Sequence, residues 1–343
     1  MKKTGQFAAN LGGQYHRFFH SSIKNYYNTR KLLRDFTLAT CFPLSLSFTT
    51  VLKTESTRKQ IRYWKKLYTR FTNYLFYKRK CHDNYVGSVC KCLRAFLRYL
   101  HLEKFPSLAD GSHCFYVHHE EIPVQVLSTE RLRFLALDKK FSLQLSQDTA
   151  RSKDRFVFGC CTALRFSDLN ALRVLNIARQ QDASYLRIKS IKTGHYTSLL
   201  LTPWAAAIAS IHMQHKPPQA PLFRPISLHQ YNQQLKKIAK LAGWNEPVEK
   251  YRSRKGKISK SLKNNPPSFQ PFWKLMSSHM MRRTAITTLL LAGIPEPVVR
   301  KISGHSPSST AFYRYVQYTQ PFLDAKMLQL SNELTDHQLP MTN

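Results

Sequence analysis

Apolar residues return at three- and four-residue steps in two stretches of this 343-residue chain. Ile61, Trp64, Leu67, Phe71 and Leu75 form the first stripe; Val89, Leu93, Phe96 and Leu100 form the second, after a polar turn at CHDN. That spacing describes one face of a helix, so two amphipathic helices are expected within 55–105. Their remaining positions are largely basic: Arg62, Lys65, Lys66, Arg70, Lys78, Arg79, Lys80, Lys91, Arg94 and Arg98. Residues 1–50 mix basic and aromatic positions without a period, and no element is assigned there. Pro and Gly punctuate FPSLADGSHCFYVHHEEIP (105–123), which reads as a linker.

Beyond it the pattern predicts helices from about Thr129, from about Asp148 through FVFGCCTAL, and from an N-cap at Ser167. SYLRIKSIKTGHYTSLLL (184–201) alternates around a Thr-Gly turn and reads as a β-hairpin. PWAAAIASIHMQ and HQYNQQLKKIAKLAG read as helices, followed by the basic loop KYRSRKGKISKSLKNNPP. Between Trp273 and Ala311 two short helices flank the turn AGIPEP. The predicted class is mainly α with a small β-sheet (α+β), and the length suits two domains.

Charge changes the picture most. Lys and Arg number 53 against 19 Asp and Glu, a formal charge of +34, and residues 1–105 hold 21 basic residues against four acids. A chain so charged repels itself when compact, which implies a polyanionic partner, with nucleic acid foremost. The hydrophobic fraction of 43% excludes wholesale disorder. Seven scattered cysteines without a secretory segment predict free thiols in a reducing cytoplasm. Cys81, His82, Cys90, Cys92, His113 and Cys114 match no common zinc spacing, so no metal is expected. No apolar run is long enough for a spanning helix, and no membrane partner is expected.

Breaking a DNA backbone without a metal needs planar cations on the phosphate oxygens, an in-line nucleophile and an acid for the departing oxygen. ALRFSDL places Arg165 just before a helix. HMMRRT puts His279 and Arg282 three apart, on one helical face. GHSPSS offers His305, with Tyr313 and Tyr315 following. Singly these are weak signals, and an H-x-x-R match is expected by chance.

Their order carries more. TALRFSDL, IKTGHYTSLLL, SSHMMRRTAITTLLLAGI and ISGHSPSSTAFYRYV together resemble the catalytic domain of the tyrosine recombinase (phage integrase) family. The details are most similar to recombinases of Bacteroidetes-type mobile elements. The resemblance covers roughly 125–330, and more loosely 55–105. It implies a basic N-terminal extension (1–50), a helical core-DNA-binding domain (51–107), a linker (108–124), a catalytic domain (125–320) and a C-terminal tail (321–343).

It also implies roles. Arg165 and Arg282 would clamp the scissile phosphate, and Lys192 would protonate the leaving 5′ oxygen. His279 would assist proton transfer, His305 would hydrogen-bond the phosphate, and Asp168 would buttress the site. Lys189 lies close by, but on an alternating strand Lys189 and Lys192 face opposite ways. Tyr313 follows His305 by eight residues and Tyr315 by ten, and the family's usual interval falls between them. Two positions on a helix differ by about 200°, so only one can reach a given phosphate. Relatives with a longer Gly-His-x-Pro turn imply Tyr315, with Tyr313 the alternative.

Phosphate contacts are expected from Arg62, Lys65, Lys66, Arg70, Arg94 and Arg98, and from Arg252, Arg254, Lys255 and Lys257 on the basic loop. The resemblance further implies double-stranded DNA with two recombination sites, a homotetramer on that DNA, accessory DNA-bending proteins, no cofactor, and a cytoplasmic, nucleoid-associated location. Two rival readings are a type IB topoisomerase-like enzyme and a non-enzymatic DNA-binding protein with AGIPEP as a helix-turn-helix.

Overall fold

The computed structural model describes residues 16–42, 44, 57–106, 109–120, 122, 125–191, 194–249, 252–258, 269–307, 312, 325, 327–329 and 331. The chain divides into two compact units: Met1–Pro123 with Glu249–Phe269, and Val124–Val248 with Gln270–Asn343.

Among the described residues, the first unit is built on three helices, α1 (His16–Thr40), α2 (Thr57–Asn73) and α3 (Asp83–Tyr99). The last two run on into π turns at Tyr74–Lys78 and Leu100–Lys104. The two stripes point inward: Trp64, Leu67, Phe71, Leu75, Val89, Leu93 and Leu100 are buried. Phe96 is the exception at 44% exposed, and Leu97 takes the inward place. Four positions carry a helix about 40° past a full turn and three stop about 60° short, so Leu97 lies closer to the axis of the Leu93 face. Helix α1, for which the sequence offered no period, joins this core through Leu32 and Phe36. Phe36 meets the rings of Phe42, Phe71 and Tyr74 at 5.5, 5.2 and 5.6 Å.

The stretch expected as a linker is largely packed here. Ala109 donates its N–H to Gln60 Oε1 at 2.6 Å, and Phe115 is buried. The basic loop also contributes, as a small hairpin of Ser253–Arg254 paired with Lys257–Ile258. Two buried carboxylates hold it. Asp83 accepts from Lys255 N (2.7 Å), Gly256 N (2.9 Å) and Ser253 Oγ (2.7 Å), while Glu120 accepts from Ser253 N.

The second unit comprises α4 (Thr129–Leu137), α5 (Lys139–Gln144), α6 (Gln147–Thr162), α7 (Phe166–Asn170), α8 (Pro203–Met213), α9 (Leu228–Leu241), α10 (Ser278–Leu291) and α11 (Glu296–Ser303). An antiparallel sheet of β1 (Ile177–Gln180), β2 (Ala183–Lys189) and β3 (Tyr196–Leu200), in that order, lies between α7 and α8 in the chain. Side-chain caps fix several starts: Ser128, Asp138, Thr202 and Ser227 each accept an N–H from three residues on. Ser167 does not cap α7. The chain turns through a left-handed Ala163 (φ 55°) at the end of α6, so α7 starts at Phe166 with Arg165 as its extended N-cap.

Helix α6 is central and packs against α8, α9 and α10, with Phe156, Val157 and Phe158 fully buried. Gly159 brings α10 close: a Cβ there would lie 2.3 Å from Met281 Sδ. The predicted mainly helical class with small sheets is what the structure shows. Among the described residues no helix is long and apolar enough to cross a membrane.

Candidate active site

Arg165 and Arg282, 117 positions apart in sequence, converge on the end of α11. Arg282 lies on α10 one turn before Ala285 and Ile286, which pack with Ala163 and Val299, and is 3% exposed. Its guanidinium donates to the carbonyls of Ala163 and Ser303, which fix the plane of the fork. Arg165 donates to the next carbonyl, Gly304 O, at 3.2 Å. Gly304 ends α11 in the left-handed region at φ +62°, which favours glycine and turns the chain toward His305.

His305 completes the cluster. Both its ring nitrogens lie 3.3 Å from Arg282 Nη2, and Nδ1 lies 2.7 Å from Ser303 Oγ. Phe312 supports the ring from below at 5.3 Å, in T-shaped contact, and is itself covered by the Arg300 guanidinium. Desolvation, then the charges of Arg282, Arg165, Arg300 and His279, push the His305 pKa down to about 3. His279, at the start of α10, keeps exposed surface. Its packed surroundings and then Arg283 and Arg282 hold it at about 4. Both imidazoles are therefore neutral at pH 7. The local field is strongly positive.

Asp168 does not serve as an ion-pair partner of Arg165 among the described residues. It is 2% exposed and faces the β2–β3 hairpin, where Ser190 Oγ donates to Oδ2 and Ile191 N to Oδ1, both at 2.9 Å. Arg155 steadies the same helix from the other end by donating to Asn170 Oδ1 at 3.1 Å. Strand β2 ends at Lys189, whose side chain is exposed, so strand alternation does not extend to Lys192. Lys192, Tyr313 and Tyr315 lie outside the described residues.

The phage integrase family model matches residues 130–320, more than half of the chain and the whole of this cluster. The chain belongs to the phage integrase family. No curated protein matches it in sequence. Solved structures share the integrase fold. XerH site-specific recombinase bound to a palindromic difH substrate has a TM-score of 0.60 at 14% identity, covering 89% of this chain and 79% of that one. A lambda integrase tetramer bound to a Holliday junction gives 0.56 at 14%, over 91% and 74%. The Tn1549 transposon integrase with transposon right end DNA gives 0.52 at 15%, over 96% and 98%.

For this integrase-family chain the sequence reading left out the partners that set the arginine geometry. The carbonyls of Ala163, Ser303 and Gly304 have no side-chain signature, and Phe312 and Arg300 were not singled out. In the first unit, Arg62, Lys65, Lys66 and Arg70 on α2 and Arg94 and Arg98 on α3 are exposed. The loop residues have intramolecular partners. Arg252 Nη1 lies 3.4 Å from Glu120, Arg254 donates to Lys80 O at 3.0 Å, and Lys255 Nζ lies 3.2 Å from Tyr77 Oη. Lys257 pairs through its backbone with Arg254, and its side chain lies outside what is described.

Proposed function

We propose that this protein is a site-specific DNA recombinase that cuts and rejoins duplex DNA through a covalent 3′-phosphotyrosine. One observation carries the reading: two guanidiniums held on fixed carbonyls stand with two neutral imidazoles in a positive site. Such a site matches a phosphate whose nonbridging oxygens gain charge in the transition state.

In the proposed step the Tyr315 oxygen attacks phosphorus in line and the P–O5′ bond breaks. The phenol proton passes to His279, which its lowered pKa leaves unprotonated and able to accept it. Lys192 gives a proton to the leaving 5′ oxygen, and Arg165, Arg282 and His305 hold the nonbridging oxygens. Asp168, by anchoring Ser190 and Ile191, sets the turn that carries Lys192. Tyrosine's ordinary pKa near 10 makes a base and a cationic field necessary. The ester retains most of the energy of the original bond, so a 5′ hydroxyl reverses the step without ATP, a metal or a cofactor.

The exposed bases of α2 and α3 would lie along the duplex backbone and position it without reading bases. Arg252, Arg254, Lys255 and Lys257 would join them at the edge of the docked hairpin. Four copies would assemble on two sites and exchange strands in pairs, as the tetrameric lambda integrase complex suggests. Integration, excision or inversion of DNA is the outcome proposed, with DNA-bending proteins as accessories. The test is incubation with a pool of nicked suicide duplexes of randomised sequence in EDTA. A detergent-resistant protein–DNA adduct that Arg165→Ala and Arg282→Ala lose supports the reading. Absence of any adduct contradicts it, and an adduct at every sequence alike points to topoisomerase-like relaxation instead.

A further inference from the structure

His195 sits at the edge of the arginine cluster and is not one of the residues assigned a role above. Its backbone closes the hairpin turn: Ser190 N donates to His195 O at 2.8 Å, and Gly194 N to Ser190 O at 2.9 Å. Because Asp168 holds Ser190 and Ile191, His195 is tied to the same anchor as the turn it follows. Its ring faces Gly304. A Cβ built on Gly304 would lie 3.6 Å from His195 Cδ2 and 3.6 Å from Arg165 Nη1, and among the described residues, its chain neighbours apart, no other heavy atom lies within 4 Å. Arg165, Gly304 and His195 therefore border one small gap.

The nitrogen bonded to that Cδ2 is Nε2. It is buried and has no hydrogen-bond partner among the described residues. A buried polar atom without a partner is costly, by about 1–3 kcal/mol, and calls for an explanation. Arg165 donates through Nη2 to Gly304 O and makes no hydrogen bond to Nε2. As an N–H donor it has no acceptor among the described residues, and an anion held beside Arg165 would supply one.

We propose that His195 is a phosphate-contacting residue: its Nε2–H donates to a nonbridging oxygen of the phosphate held by Arg165. No proton moves in this contact, and Lys192, three residues earlier, remains the acid. The assignment rests on the recombinase reading above.

The test uses full-length protein and the duplex captured from the randomised pool. His195→Ala should slow single-turnover cleavage about 10- to 100-fold, with melting temperature and duplex affinity unchanged. His195→Gln, which offers an amide N–H near the same place, should recover most of the rate. With a methylphosphonate at the scissile position, which removes one nonbridging oxygen, the Ala penalty should vanish for one diastereomer and persist for the other.

A wild-type rate in His195→Ala overturns the proposal. So does a loss that Gln does not restore and that both diastereomers retain, which is the pattern of a structural role. A readout independent of cleavage separates the two claims. Sulfate should raise the melting temperature less in His195→Ala than in wild type. If wild type never forms an adduct but this difference stands, the recombinase reading fails while the anion contact holds; equal sulfate effects remove the contact.

Discussion

At the residue scale the site depends on charge held by backbone. Arg282 is fixed by two carbonyls and Arg165 by a third, so each presents a planar fork that an ammonium group cannot copy. Arg282→Lys and Arg165→Lys should each slow adduct formation about 10²- to 10³-fold while leaving duplex affinity within a few-fold, as read by single-turnover cleavage beside filter binding. Equal losses in binding and cleavage would mean the arginines serve affinity alone. The histidines make a pH prediction. His305 at about 3 and His279 at about 4 lie below the 6.5 of an ordinary imidazole, so between these values the unfolded chain binds more protons than the folded one. Their contribution is fully present above about pH 6.5 and is lost as pH falls through that window toward 4 and 3. His305→Gln should flatten the melting temperature against pH between about 4 and 6.5, and sulfate should blunt the wild-type slope. A parallel curve for the variant would contradict the depressed pKa.

At the element scale the two structures that matter most are both held by buried carboxylates. Asp168 gathers the β2–β3 turn, so Asp168→Ala should speed amide exchange at Ile191 and lower cleavage with little change in duplex affinity. Asp83 gathers the 253–258 hairpin. Removing it leaves the N–H groups of Lys255 and Gly256 without their acceptor, at about 1–3 kcal/mol for each that water cannot reach. Asp83→Ala should therefore lower the urea midpoint of the first unit and deprotect 253–258 in hydrogen exchange; unchanged exchange there would contradict the docking. These anchors also mark what the sequence could and could not convey. The stripes of α2 and α3, the β2–β3 hairpin and the paired helices around AGIPEP were legible because periodicity reports burial directly. Helix α1 was not, since only Thr29, Leu32 and Phe36 of its described side chains turn fully inward, while apolar Ile23 and Leu38 face out and blur the stripe. The docking of the basic loop was not legible either: runs of Lys and Arg look the same whether they meet phosphate or a buried acid 172 positions away, as Asp83 is from Lys255. Arg165, Asp168, His279, Arg282 and His305 were singled out by order and resemblance. The carbonyls that hold the two arginines have no side-chain signature in the sequence.

At the scale of the whole molecule, a charge of +34 demands a polyanion, and binding should be dominated by counterion release. Affinity for duplex should fall steeply with salt. Replacing Lys65 and Arg70 together by Ala should reduce the log–log slope by about 1.8 without changing which sequence is cleaved. A changed cleavage site would show that these positions read bases. The central claim is narrower than the charge: one tyrosine oxygen becomes esterified to a DNA 3′ end in a metal-independent reaction. The most direct measurement is mass spectrometry of the trypsin- and nuclease-treated adduct formed in EDTA. The account predicts a nucleotide 3′-phosphate on Tyr315. A nucleotide on any residue other than Tyr315 or its neighbour Tyr313, a 5′-linked nucleotide, or an adduct that forms only with magnesium would contradict it.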